Sequence, residues 1–471
     1  MYNRPWRMSS ESPPSRRFQL LLIMIKRLIK RVFGKTAPVR VEGAAHVIPY
    51  EAHKVSRDGI SYGALRVTDG LQAAGFKAFV VGGAVRDLLL DRQPKDFDVA
   101  TDATPEEVKR VFRRARIIGR RFRLVHVMFG EETVEVSTFR RAIEAEDAET
   151  DEHGRILRDN EFGDQQQDAA RRDFTANALF YDPSTQEIFD YHNGYADIRA
   201  NTLRMIGDPE VRYREDPVRM LRAVRLSAKL GMKLDPTTAA PIFKMKELLS
   251  NVPEARLFDE MLKLLLSGHA MPCIKKLRAM DLHHGMLPML DVILEQPMGE
   301  KFVMLALQNT DQRIAEEKAT SPAFLFAALL WHEVLAAWKA RQEAGERPIG
   351  AMHAAMDDVL ERQRAQLAIP RRYDTVMKEL WLMQPRFEQR GGQRPLRLLA
   401  LPRFRAAYDF LLLRCQSGEV ETELGTWWEE FQHAGDERRA EMLLPDTGGP
   451  KKRRRRTKKP GAAPQAELPI D

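Results

Sequence analysis

The hexapeptide KDFDVA, residues 95–100, carries Asp96 and Asp98 two positions apart inside a short apolar run. Side chains alternate along a strand, so an extended reading puts both carboxylates on one face. Like charges side by side repel, and a packed sheet face does not hold them unpaired, so the pair asks for a cation. Upstream, FVVGGAVRDLLL (79–90) reads as a strand that turns at Gly82-Gly83 into a helix. Glycines at such a turn leave backbone N–H groups open to an anion, and Gly83 opens the helix. Arg86, on the first turn, offers a forked guanidinium to phosphate. The spacing matches neither the dinucleotide G-x-G-x-x-G nor the P-loop pattern. Asp96 follows Asp87 by nine residues, which sets phosphate binder and carboxylates on neighbouring elements. Two hard oxygen donors suit Mg²⁺ held jointly with a nucleoside triphosphate. Two such ions about 4 Å apart would activate an attacking hydroxyl and steady a leaving pyrophosphate. A third carboxylate is then required. Glu135, inside the apolar run VEVSTF, and Asp173, in RRDFTANAL, are the two candidates.

The elements that must position these groups read as follows. KAFVV (77–81) and DFDVA (96–100) are strands, with AVRDLLL (84–90) a helix between them. TPEEVKRVF (104–112) has a capping threonine, a proline at the first helical position and early glutamates, which predicts a helix start. LVHVMF (124–129) and TVEVSTF (133–139) form a hairpin around Gly130, and the acidic stretch 143–155 is a loop. Beyond Asp216 the periodicity is helical: residues 216–231, 254–268 and 321–340. The fold class is α+β. A small mixed-sheet head (56–200) follows a basic mobile arm (1–55). A helical neck (201–270), an all-α body (271–445) and a disordered basic tail (446–471) complete the chain.

The net charge of +8 over 471 residues is unevenly placed. Residues 1–35 hold nine Lys/Arg and one Glu, and residues 450–471 hold eight Lys/Arg and two acids. Basic ends on an acidic body suit arms that grip a polyanion. The tail run KKRRRRTKK holds eight positive charges in nine residues and no aromatic ring, which predicts salt-dependent phosphate contacts without base selectivity. FQLLLIMIKRLIKRVF (18–33) alternates apolar and basic residues, a pattern suited to weak association with an anionic membrane surface or RNA. Its apolar core, LLLIMI, is too short to span a bilayer. Met24 is an alternative start. Two distant cysteines, Cys273 and Cys415, imply neither a disulfide framework nor a zinc site and fit a cytoplasmic protein.

The set VGGAVRDLLL…PKDFDVAT, VEVSTFR, RRDFTANALFYD and REDPVRMLRAVRLSAKLG resembles the class II nucleotidyltransferases of the polymerase-β superfamily. These are the bacterial poly(A) polymerases and the CCA-adding tRNA nucleotidyltransferases, and the resemblance spans about residues 53–290. The segment IIGRRFRLVHVMFG (117–130), the helical PAFLFAALLW and FRAAYDFLLLR stretches and the Lys/Arg-rich tail are similar to the poly(A) polymerase branch. The resemblance implies that Asp96 and Asp98 bind the catalytic Mg²⁺, with Glu135 or Asp173 completing the acidic site. It implies that Gly83 and Arg86 hold triphosphate and ribose, and that Arg172 contacts the incoming nucleotide. Asp216, Arg219, Arg222 and Arg225 would line the nucleobase pocket.

That last assignment has a chemical basis too. Asp216, Arg219 and Arg222 recur every three residues on one predicted helix, so their side chains are neighbours. A carboxylate accepts from an exocyclic amine while a guanidinium donates to the adjacent ring nitrogen, which fits adenine and cytosine and rejects guanine and uracil. Such a protein needs no template. The first functional reading is a poly(A) polymerase that joins AMP from ATP to the 3′ ends of mRNA and other RNAs. The alternative is a CCA-adding enzyme, and a third is an inert RNA-binding or membrane-tethering scaffold. His283-His284 and the WHEV segment lack partners at metal-site spacing and read as surface or structural residues.

Overall fold

The computed structural model describes residues 44–119, 123–141, 161–282, 297–367 and 369–445. The basic N-terminal segment, the acidic stretch 143–155, His283-His284 and the tail from 446 lie outside them. The head is built on one eight-stranded mixed sheet: β1 (His46–Ile48), β2 (Ala78–Val81), β3 (Asp98–Thr101), β4 (Ala115–Ile118), β5 (Leu124–Phe129), β6 (Glu132–Thr138), β7 (Leu179–Asp182) and β8 (Glu187–Asp190). The spatial order is β1-β8-β7-β2-β3-β6-β5-β4. Of the pairings around the site, β3 with β6 is parallel, while β2 with β3, β2 with β7 and β5 with β6 are antiparallel. Sequence reading found β2, β3 and the hairpin β5–β6. It missed β1, β4, β7 and β8, which are only three or four residues long, too short for a clear alternation. Residues 46–53, grouped with the mobile arm above, in fact carry β1 and the short helix Tyr50–His53, whose His53 is buried.

Helices cover both faces of the sheet. On one, Val99, Val125, Val127, Val134 and Val136 pack against Val67 and Leu71 of helix Tyr62–Ala73 and Val108 of helix Pro105–Val111. On the other, Phe79, Val81, Ala100, Phe139 and Phe180 meet Ala169. Helix Pro105–Val111 starts where predicted: Thr104 and Glu107 form a reciprocal capping box and Pro105 sits at the first turn. The hairpin turns at Gly130, whose φ of 62° is the left-handed region that glycine enters without strain.

Beyond the head the described chain is almost entirely helical. Helix Val218–Leu230 buries Met220, Leu221, Val224 and Leu230 and turns its charged side to the head's cleft. Helix Pro322–Glu343 is long and apolar enough to cross a membrane by length and composition. Its residues Leu325 to Trp331 are buried among neighbouring helices, and the Trp381 indole donates to the Ala327 carbonyl. It is a core helix. His332, of the WHEV segment, lies 3.5 Å from Glu419, which also accepts from the Trp331 indole and Arg414. That cluster ties helices together, as a structural reading of the segment expects.

Candidate active site

A cleft of about 830 Å³ opens between the head sheet and helices Val218–Leu230 and Glu254–Leu265. It gathers Gly83, Arg86, Asp96, Asp98, Glu135, Arg172, Asp173, Asp216, Arg219, Arg222 and Arg225, every residue singled out from the sequence.

Its acidic side is set by strand register. Asp98 and Glu135 are Cα partners on the parallel strands β3 and β6, and Glu135 is in turn opposite His126 on β5. Partners in register point to the same face, so these three side chains form a row. The His126 Nε2 lies 3.6 Å from the Glu135 carboxylate. Asp98 has no ion-pair partner among the described residues. Burial in the cleft pushes its carboxyl up to about 6, the Glu135 charge adds to this, Arg172 opposes it and Asp96 adds a little. Asp96 departs from expectation: β3 begins at Asp98, and Asp96, exposed like Asp98, lies on the approach to the strand and not within it. Phe97, between them, turns inward and is buried, so the D-x-D alternation survives without a shared strand. Among the described residues no three potential ligands are close enough to make a ready metal site. Two strand-borne carboxylates without a cation nonetheless suit a hard ion whose remaining ligands come from phosphate and water.

The turn beside them is tight. Gly82 has φ 71°, and a side chain there would come within 3.3 Å of an Arg172 nitrogen. Arg86 is buried and fully engaged: it donates to Asp87 at 2.6 Å and to the Asn177 side chain at 2.5 Å. Arg172 donates to Asp168 at 2.9 Å and lies over the Phe180 ring at 5.2 Å. Burial works against the Asp168 charge, but Arg172 and Arg171 outweigh it and hold this carboxyl below the usual range.

Asp173 differs from Asp98 in kind. It is buried, and its two oxygens accept from Arg222 at 2.9 and 2.5 Å, from the Asn177 amide and from the Phe174 N–H. Burial alone would raise its pKa; the Arg222 charge and those donors together bring it below the ordinary value. Its lone pairs are spent within the protein, which leaves Glu135 as the open carboxylate next to Asp98.

The base-reading trio also departs from the helical reading. Asp216 is not on the helix: it ends helix Pro209–Glu215 in an extended conformation, φ −149° and ψ 95°. Pro217 follows, and a residue before proline is pushed out of the helical region. Asp216 accepts from the Val218 N–H at 3.3 Å and pairs with Arg256 at 2.9 Å, not with Arg219. Arg219 instead donates to the Arg212 carbonyl and Glu215, both at 2.8 Å. Arg225 pairs with the buried Glu260 at 3.2 Å, and Arg222 and Lys263 also approach that carboxylate. Arg256, Asp259, Glu260 and Lys263 on helix Glu254–Leu265 were not identified from the sequence. Their three- and four-residue spacing marks one helix face, but a charged face ordinarily meets solvent, and only the fold turns this one into the cleft.

Three family models match the chain. "Poly A polymerase head domain" covers residues 78–204, "Probable RNA and SrmB- binding site of polymerase A" covers 231–294 and "Polymerase A arginine-rich C-terminus" covers 344–460. The chain is 44% identical over 435 residues to "Poly(A) polymerase I" of Salmonella typhi, covering 89% of this chain and 93% of that one. It is 39% identical over 207 residues to the "CCA-adding enzyme" of Lactobacillus helveticus, a match to 44% of this chain and 50% of that protein. The crystal structure of the Bacillus stearothermophilus CCA-adding enzyme in complex with CTP is similar at 26% identity and a TM-score of 0.53, over 78% of this chain and 80% of that one.

Proposed function

This chain belongs to the bacterial poly(A) polymerase family, and from that premise we propose that it is a template-independent RNA 3′-adenylyltransferase. It joins AMP from ATP to RNA 3′ ends and releases pyrophosphate, acting on mRNA and other transcripts in the cytoplasm. The observation that carries the mechanism is the pairing of Asp98 with Glu135 across adjacent strands, beside the Gly82-Gly83 turn on the next strand. The match to a poly(A) polymerase over nearly the whole chain favours this reading over CCA addition, whose curated relative is matched over half its length.

Nucleotidyltransferases of this kind use a divalent metal. Asp98 and Glu135 would hold Mg²⁺ here, with Asp96 beside them. When bound, it supplies charge stabilisation at the phosphate oxygens and eases deprotonation of the primer's 3′-OH. The hydroxyl attacks the α-phosphate in line as the bond to pyrophosphate breaks. The protein's share is orientation and electrostatics. The Gly83 backbone and Arg172 take the triphosphate. Arg86 acts from behind, fixing the turn through Asp87 and Asn177. Asp173 holds Arg222, and Glu260 holds Arg225, so both guanidiniums are placed before substrate arrives. Asp216 and Arg219 read the adenine edge, one as acceptor and the other as donor.

Incubating the protein with an oligo(A) primer and each nucleoside triphosphate in turn, and sizing the products, tests the activity. A ladder with ATP alone is expected. Addition that needs a tRNA primer and CTP and stops at the CCA end would favour the alternative.

A further inference from the structure

The head carries a second concave surface outside the cleft. A groove of about 430 Å³ is lined by Tyr62, Phe112, Arg113, Arg114, Met128 and Phe129. Tyr62 is 69% exposed. It meets Phe129 edge-on, with centroids 6.3 Å apart and planes at 86°, and Phe129 meets Phe112 in the same way at 6.3 Å and 78°. Such a chain of edge contacts leaves ring faces available for stacking. The tyrosine is also anchored. It opens helix Tyr62–Ala73, and the Glu132 carboxylate at the end of the hairpin accepts from the Ser61 hydroxyl and, at 2.9 Å, from the Gly63 N–H. A side chain at Gly63 would collide with that carboxylate at 2.7 Å, so glycine is what lets the helix start and hairpin close on each other.

Cations surround these rings. Lys109, Arg110, Arg113, Arg114 and Arg116 are all exposed, and no acid lies between residues 109 and 116. Arg110 is paired with Glu107, but Lys109, Arg113, Arg114 and Arg116 have no ion-pair partner among the described residues. Arg66, one helical turn beyond Tyr62, is likewise exposed and unpaired. The acids nearby are mostly committed: Glu106 to Arg123, Glu107 to its cap and Arg110, and Glu132 to the helix start. Glu131, in the hairpin turn, is the exception.

We propose that this groove binds single-stranded RNA upstream of the 3′ end being extended, stacking a base on Tyr62 and pairing phosphates with Arg113 and Arg114. The inference rests on the RNA-polymerising reading. Every base has a π-face, so aromatic rings bind a strand without regard to sequence, and flanking cations follow its backbone. That combination fits a polymerase that takes many transcripts. An anionic membrane surface needs no groove with a ring set among unpaired arginines, and an acidic protein would gain little from an aromatic face open for stacking. The groove shares the β5–β6 hairpin with the chemistry, on the opposite face of the sheet. Glu132 and Glu135 are three residues apart on β6, about 10 Å at strand rise. Val127 and Val134 face away from Glu135, so the strand reaches Tyr62 by passing round the end of the hairpin.

The test uses the full chain carrying Tyr62→Ala, Arg113→Ser and Arg114→Ser together, with Tyr62→Phe as a companion. For an oligo(A) primer of about 15 nucleotides, KM should rise about tenfold, the scale of one lost base stack plus two phosphate contacts. The slope of log affinity against log salt should flatten by about 1.4 for those two contacts. KM for ATP, kcat, and extension of a trinucleotide that ends in the cleft should stay as in the parent, and Tyr62→Phe should keep the parental KM. An unchanged KM and slope with the long primer overturn the proposal. So does loss of binding to phosphatidylglycerol vesicles with primer affinity intact. Failure of the parent protein to extend even the trinucleotide would instead strike at the polymerase reading.

Discussion

Asp98 and Glu135 face each other in register across the parallel pairing of β3 with β6. Among the described residues neither is neutralised by a cation at close range; Glu135 has His126 at 3.6 Å. The sheet therefore holds two negative charges in a place that the fold alone does not favour.

A stability consequence follows for Asp98. Its carboxyl is raised to about 6 in the folded state against 3.8 for an ordinary aspartate, so the fold disfavours the charged form. That cost is absent below about pH 4, grows between 4 and 6, and is fully present above 6. In EDTA, Asp98→Asn should raise Tm at pH 8, and the gain should vanish towards pH 4. Thermal scans at both pH values check this, and equal Tm at pH 8 would contradict it.

Asp173 should behave in the opposite way. Its partner Arg222 and its two other donors, the Asn177 amide and the Phe174 N–H, are internal, so Asp173→Ala takes away the close acceptor of a guanidinium and of two buried donors. Breaking one side of such a pair costs about 3 kcal/mol, the low end of the range because Arg222 keeps some solvent contact. Urea denaturation of the variant should show this loss. A variant as stable as the parent but inactive would move Asp173 into direct contact with the reaction.

For Asp216→Ala, the released cation is Arg256, since Arg219 keeps Glu215 and the Arg212 carbonyl. Selection of ATP over GTP and UTP should fall by about 1–3 kcal/mol, the penalty of a lost base-edge bond. Binding of inorganic tripolyphosphate should change little. Competition among the four nucleotides with one primer measures both, and unaltered selectivity would remove Asp216 from the base pocket.

Much of this site was legible because its chemistry depends on local pattern. The Gly82-Gly83 turn, the hairpin around Gly130 and the capped start at Thr104 each follow from glycine freedom or cap geometry within a few residues. Asp98 and Glu135 were found as types but not as neighbours, because a parallel pairing joins residues 37 apart and leaves no short-range trace. Asp216 was misplaced by one element: its three-residue spacing to Arg219 imitates a helix, while Pro217 forces the break. Glu260 and Arg256 could not be distinguished from an ordinary solvated face, since what makes them part of the cleft is the packing of helix Glu254–Leu265 against Val218–Leu230.

The central claim is that the Asp98–Glu135 pair serves the transfer step while Asp173 serves the scaffold. Single-turnover adenylation of an oligo(A) primer, at saturating ATP, primer and Mg²⁺, tests it most directly in Glu135→Gln. The account predicts a rate lower by about a thousandfold or more, the scale of removing a charge-stabilising group from the transition state, with Tm and ATP affinity close to those of the parent. A variant that keeps a rate within tenfold of the parent would contradict it.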